Sequence, residues 1–274
     1  MSLRSLSLLA CLALAAPVRA SEHLLVAGVD GSVYRGDPRT GGFEYFACAC
    51  LGPVNALAAD RTDLFAADEF GQLLVVDVNT GVAKGLVATG LGEISALAAT
   101  RAGLFAGTPG GLVARVDPTT GELLAQRPAP AGVRALASLG GDLFVAASDG
   151  AIYRAPLAGG DFTYFSCFCF SNLQSLVASG GDLFAADASG VVVRIEGASG
   201  ALLAAQWTAP MTAMAMSGGD FLVHGGGGVI GRFDGETGQA LGKLESPFDV
   251  RAMLVLREAT PVTRPASAKG AQRP

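Results

Sequence analysis

Asp63-Leu-Phe-Ala-Ala-Asp-Glu-Phe-Gly-Gln-Leu-Leu-Val-Val-Asp-Val-Asn-Thr-Gly81 contains two short apolar runs, split by a glycine turn and closed by a Thr-Gly turn. Runs of this length, bounded by turn residues, read as buried strands rather than helices. The phrase recurs. Matching segments begin at His23, Asp63, Gly103, Asp142, Asp182 and Asp220, at spacings of 40, 40, 39, 40 and 38 residues. Eight residues into each segment stands Gly31, Gly71, Gly111, Gly150, Gly190 or Gly228. Eighteen residues in stands Gly41, Gly81, Gly121, Gly160, Gly200 or Gly238. With 38 Gly among 274 residues, glycine at all twelve positions is not a chance result. A fixed period of this size marks a repeat architecture.

Each unit reads as four short strands: an opening apolar run such as Asn55-Ala-Leu-Ala-Ala, the two runs above, and a fourth stretch after the Thr-Gly turn. One aligned position in the third strand is always apolar (Val33, Leu73, Val113, Ile152, Val192, Ile230), so this sheet is buried on both faces. Four-stranded units of about 40 residues stacked around an axis make a β-propeller. The first unit lacks an opening strand, and Arg251-Ala-Met-Leu-Val-Leu-Arg257 belongs to no unit. The expected architecture is therefore all-β and six-bladed, with the last strand completing the first blade and leaving no open interface.

The composition agrees. Half of the residues are hydrophobic and only 16% are charged, the reverse of a disordered chain. After residue 20 no apolar run is long enough to span a bilayer as a helix, so no transmembrane segment is expected. Residues 1–20 combine Arg4, an apolar stretch from Leu6 to Ala16, and a Val18-Arg19-Ala20 ending, the pattern of a signal peptide. The expected layout is a leader at 1–20, a propeller at 21–258 and a disordered Pro/Ala-rich tail at 259–274, in a periplasmic or secreted protein. Without the leader the net charge is −7, which argues against a nucleic-acid partner. A monomer is expected.

The turns Asp117-Pro-Thr-Thr-Gly121 and Asp234-Gly-Glu-Thr-Gly238 resemble those of quinoprotein-type (PQQ-like) propeller repeats. The resemblance covers residues 21–258 and implies fold rather than activity. Quinoprotein dehydrogenases have eight blades, adjacent cysteines, a Ca²⁺ site and a tryptophan floor. This chain has one tryptophan, Trp207, and no Cys-Cys pair, so no resident cofactor is expected. Non-catalytic relatives of that superfamily include envelope scaffold proteins.

A residue present in every blade serves the blade; one present in a single blade or two needs another reason. Arg35, Arg115, Arg154, Arg194 and Arg232 share one aligned position and read as inter-blade packing, paired with the acids two residues on. The Asp of the Asp-Leu-Phe phrase reads as a turn residue. The principal departure from symmetry is Phe43-Glu-Tyr-Phe-Ala-Cys-Ala-Cys-Leu51, repeated as Phe162-Thr-Tyr-Phe-Ser-Cys-Phe-Cys-Phe170. Cys48 aligns with Cys167 and Cys50 with Cys169, both 119 residues apart, which is three blades. The motifs thus face each other across the ring, at the crossover from one blade to the next. Each pair could close a small strained disulfide, hold a soft metal such as Cu(I) or a shared Zn²⁺, or act as a redox dithiol. Tyr45, Tyr164, Phe168 and Phe170 would form an aromatic lip. Asp68, Glu69, Asn55, Asn172 and His224 complete the candidate ligand or partner face.

The expected function is a non-catalytic scaffold that binds a protein or small ligand on this cysteine-bearing face. The alternatives are a soft-metal or thiol-redox propeller using the two CxC pairs, and a propeller hydrolase or lyase with acids and Asn55 near the axis. Two histidines give a Ser-His-Asp hydrolase little material.

Overall fold

The structure is a computed structural model that describes residues 21–48, 52–167 and 173–257. The leader and tail expected at 1–20 and 259–274 lie outside the described residues. Every element is a strand, and no helix among the described residues could cross a membrane.

The strands run β1 (Glu22–Gly28), β2 (Ser32–Asp37) and β3 (Gly41–Cys48), then β4 (Val54–Ala59), β5 (Asp63–Asp68), β6 (Gln72–Asp77) and β7 (Ala83–Ala88). The third blade is β8 (Ala96–Thr100), β9 (Gly103–Gly107), β10 (Leu112–Val116) and β11 (Leu123–Pro128). The fourth is β12 (Val133–Leu139), β13 (Asp142–Ala147), β14 (Ala151–Pro156) and β15 (Thr163–Cys167). The fifth is β16 (Leu173–Ser179), β17 (Asp182–Asp187), β18 (Val191–Glu196) and β19 (Leu202–Trp207). The sixth is β20 (Ala213–Ser217), β21 (Asp220–His224), β22 (Val229–Phe233) and β23 (Ala240–Glu245), followed by β24 (Val250–Arg257).

These form six four-stranded antiparallel sheets. β24 pairs with β1 from Glu22↔Arg257 to Gly28↔Val250, so the last strand is the inner strand of the first blade. The inner strands contact one another in the order β24, β4, β8, β12, β16, β20 and back to β24, a closed ring. Each blade interface has its own apolar core. Between the first and second blades Leu25, Ala27 and Val33 meet Val54, Leu57 and Leu64. Between the sixth and first, Leu222 and Ile230 meet Leu24, Val26 and Met253. The aligned third-strand position is 0–1% exposed in all six blades, which accounts for the low share of charged residues.

All twelve repeated glycines have positive φ. At Gly81 (φ +74°) a Cβ would also lie 2.1 Å from the Phe46 carbonyl oxygen of the preceding blade. The turn thus needs glycine for its backbone and for the close approach. In the same turns the acids Asp37, Asp77, Asp117 and Asp234 accept backbone N–H bonds from residues two and three positions on. The Arg39 N–H bond holds the carboxyl of Asp37 below the usual range, and the Thr237 hydroxyl, ahead of the backbone N–H bonds, does so for Asp234. Lys84 adds to them at Asp77, where the carboxyl falls to about 2.

Candidate functional site at the crossover face

Two faces follow from the connectivity. One carries the turns between second and third strands together with the blade-to-blade crossovers; the other carries the remaining hairpin turns. Cys48 is in register with Ser32, and Cys167 with Ala151, each the first residue after a second-to-third-strand turn. Cys48 and Cys167 therefore lie at the crossover face, in opposite blades. Cys50, Cys169, Phe168, Phe170 and Asn172 lie outside the described residues, while Cys167 is exposed.

The centre of this face opens into an axial channel of about 270 Å³ lined by all six inner strands. At one aligned position at or just before the start of each inner strand, directly after a buried apolar residue, stand Asn55, Ser95, Arg134, Gln174, Thr212 and Arg251. All six are polar, and they ring the mouth. Deeper along the same strands Leu57, Leu97, Leu136, Leu176, Met214 and Met253 line the channel and are buried. The two hydroxyls staple adjacent blades. Ser95 Oγ donates to Val133 O at 2.7 Å, and Thr212 Oγ1 lies 3.4 Å from Val250 O. Arg251 Nη1 donates to Asn55 Oδ1 of the next blade at 3.1 Å.

The turn acids serve the scaffold. Asp68 is fully buried, and its Oδ1 accepts N–H bonds from Phe70 and Gln72 at 2.9 and 2.8 Å. Its Oδ2 is buried with no hydrogen-bond partner among the described residues. Asp187, the equivalent residue three blades on, accepts from Ser189 and Val191 in the same way. Glu69, beside Asp68, is exposed on the turn. Tyr45 and Tyr164 are exposed and pack edge-on against Tyr34 and Tyr153, so the aromatic lip has one matching ring pair in each of the two opposite blades. Tyr153 donates to Asp149 Oδ2 at 2.6 Å, and this bond raises its hydroxyl to about 12.

His224 lies in the seam where the ring closes, 1% exposed. Val250 N–H of β24 donates to its Nε2 at 3.4 Å, and its Nδ1 is 3.1 Å from Thr212 Oγ1. An Nε2 that accepts requires the proton on Nδ1, so the neutral ring is the form these bonds fix. Burial pushes its basicity below the ordinary histidine range, against the opposing pull of Asp249.

The repeated arginines are inter-blade and cross-strand elements, as their symmetry implied, but their acid differs from the one expected. Arg194 and Arg232 pair with Asp182 and Asp220 of the neighbouring strand at 2.6 and 2.5 Å, and Arg154 with Asp142 at 3.8 Å. The acids two residues on instead occupy the turns or, for Glu196, accept from Ser199. The guanidiniums of Arg35 and Arg154 lie 4.9 and 5.1 Å above the rings of Phe46 and Phe165. Where Val75 replaces the arginine, Lys84 reaches Asp63 at 2.6 Å.

Ser95, Arg134, Gln174, Thr212 and Arg251 do not share one residue type across the blades and so do not stand out in the sequence as a repeat. The usable signal was a position at which residue type varies and polarity does not.

No family model matches the chain, and no curated protein matches it. Solved structures do. The chain is similar to a structure described as a nidogen/laminin complex, at TM-score 0.72 and 13% identity over 87% of this chain and 100% of that one. The WD40 β-propeller domain of Doa1 matches at TM-score 0.63 and 13% identity, over 85% and 82% of the two chains. BamB from Moraxella catarrhalis matches at TM-score 0.51 and 15% identity, over 81% and 70%. These likenesses define the class by its fold: a β-propeller.

Proposed function

We propose that this is an exported, non-catalytic propeller of the quinoprotein-type repeat group, and that its crossover face holds a protein or small-ligand partner. One observation carries the reading. Features that break sixfold symmetry gather on the crossover face or at its edge: Cys48 and Cys167, the exposed tyrosines and the arginine-bearing axial ring. The opposite face repeats one Asx turn in four of its six blades, at Asp37, Asp77, Asp117 and Asp234. The likeness to BamB, and the Asp-x-x-Thr-Gly turns, support the repeat group.

Photo-crosslinking side chains installed at Glu69 and Tyr164 test the face, with Thr62 and Arg101 on the opposite face as controls. Discrete adducts from the first pair alone are the expected result. Equal labelling from both faces, or none from the crossover face, would refute the reading. Thiol counting with metal analysis of the same sample separates it from a thiol site. Blocked thiols without metal fit the scaffold, whereas bound Cu or Zn at Cys48/Cys50 and Cys167/Cys169 would favour the soft-metal alternative.

A further inference from the structure

The six side chains of the axial mouth are related in pairs. Asn55 and Gln174 are carboxamides, Ser95 and Thr212 hydroxyls, Arg134 and Arg251 guanidiniums. Members of each pair come from blades opposite one another in the ring. Around the axis the order is amide, hydroxyl, arginine, then the same again. The mouth therefore has two-fold rather than six-fold symmetry, with the axis of the propeller as its dyad.

The hydroxyls are engaged by backbone carbonyls of the neighbouring blade, which leaves the guanidiniums and carboxamides to face a ligand. Arg194 and Arg232 of the sheets each hold a carboxylate. Arg134 is exposed at the mouth and has no hydrogen-bond or ion-pair partner among the described residues. Arg251 meets only the neutral amide of Asn55. Two opposed guanidinium forks without counter-ions suit carboxylates, which they bind in bidentate fashion. Below them Leu57, Leu136, Met214 and their equivalents line the channel together with Ser138 and Ser175, a mixed but mainly apolar wall that suits a hydrocarbon spacer better than a strongly hydrated inorganic ion. A volume of about 270 Å³ restricts the ligand to a small one.

We propose that the axial mouth binds a small aliphatic dicarboxylate, one carboxylate on Arg134 and the other on Arg251, with Asn55 and Gln174 donating beside them. The assignment rests on the crossover face being the binding face and adds the ligand class. The ligand's own two-fold symmetry matches that of the ring. The turn acids on this face are mostly bonded within their turns, but Glu69 and Glu93 are exposed there and the chain is net negative. The two arginines must overcome that field.

Titration calorimetry of the full chain with succinate, glutarate and adipate tests this, with butyrate and inorganic phosphate as comparisons. At least one dicarboxylate saturates a single site, and butyrate binds about tenfold or more weakly by comparison. Arg134→Gln and Arg251→Gln each weaken binding by about tenfold or more. Arg101→Gln, on the opposite face, leaves it unchanged. Arg134→Lys keeps charge and stem but not the fork, and it also weakens binding, so the test survives a glutamine variant that fails to fold. Absence of dicarboxylate binding, equal affinity for butyrate, or unchanged affinity in the Arg134→Gln/Arg251→Gln double variant would overturn the assignment. If crossover-face crosslinking persists in that case, only the ligand class falls. If both fail, the binding-face reading falls with it.

Discussion

His224→Ala is the most informative single change to the ring. The five equivalent positions hold Ala27, Ala67, Gly107, Ala146 and Ala186, so the backbone accepts a small residue there. The substitution removes the Nε2 acceptor of Val250 N–H and one of the partners of Thr212 Oγ1, which keeps the carbonyls of residues 224 and 250, at the closing seam. A buried donor left without a partner costs about 1–3 kcal/mol, and the cavity adds to it, so a loss of about 2–4 kcal/mol at neutral pH is expected. The pH dependence is the sharper signature. Burial lowers the folded-state pKa of His224 below its unfolded value of 6.5. Above 6.5 the contribution is complete. As pH falls through 6.5 the unfolded chain takes up a proton that the folded one refuses, and stability declines until the folded pKa is reached. The slope from one group is at most about 1.4 kcal/mol per pH unit. Urea denaturation of both proteins from pH 7.5 to pH 5 reads it, because His23 is common to both and cancels. The difference between them should narrow steadily below pH 6.5. Parallel curves, or equal midpoints at pH 7.5, would show that the imidazole does not hold the seam.

Gly81→Ala combines a positive φ with a Cβ 2.1 Å from the Phe46 carbonyl, and thermal melting should show a loss of about 2 kcal/mol or more. Lys84→Ala removes the largest cause of the low Asp77 carboxyl pKa, so an NMR titration should find it rising from about 2 towards 3.8; no change would disprove the Lys84 contact. Truncation after Asp249 deletes β24 and uncovers the inner edge of β1. The expected result is loss of the cooperative unfolding transition or concentration-dependent association, seen by calorimetry and sedimentation. A monomer with unaltered unfolding would mean that closure contributes nothing.

Strand count, blade number and closure were legible in the sequence because turn chemistry is local. A positive-φ glycine stands in the second-to-third and third-to-fourth strand turns of every blade, so the twelve glycines print those hairpins directly. The Arg–Asp pairs were only half legible. Arg194 and Asp182 are twelve residues apart, as are Arg232 and Asp220, a separation that becomes meaningful only when the hairpin register is known. The axial ring was hidden for a different reason. Its members come from six separate blades and share polarity without identity, so a filter built on repeated residues removes them. His224 departs from symmetry plainly in the sequence, yet its burial follows from β24, which folds in from the far end of the chain.

Glu22 and Arg257 stand side by side, joined by an ion pair of 2.9 Å, at the edge of the ring away from the crossovers. Chain enters and leaves the propeller there. A tether or engineered fusion attached at either end of the propeller would start from the face opposite the axial mouth. The closing strand therefore does more than seal the ring: it sets the orientation in which an immobilised propeller would be presented.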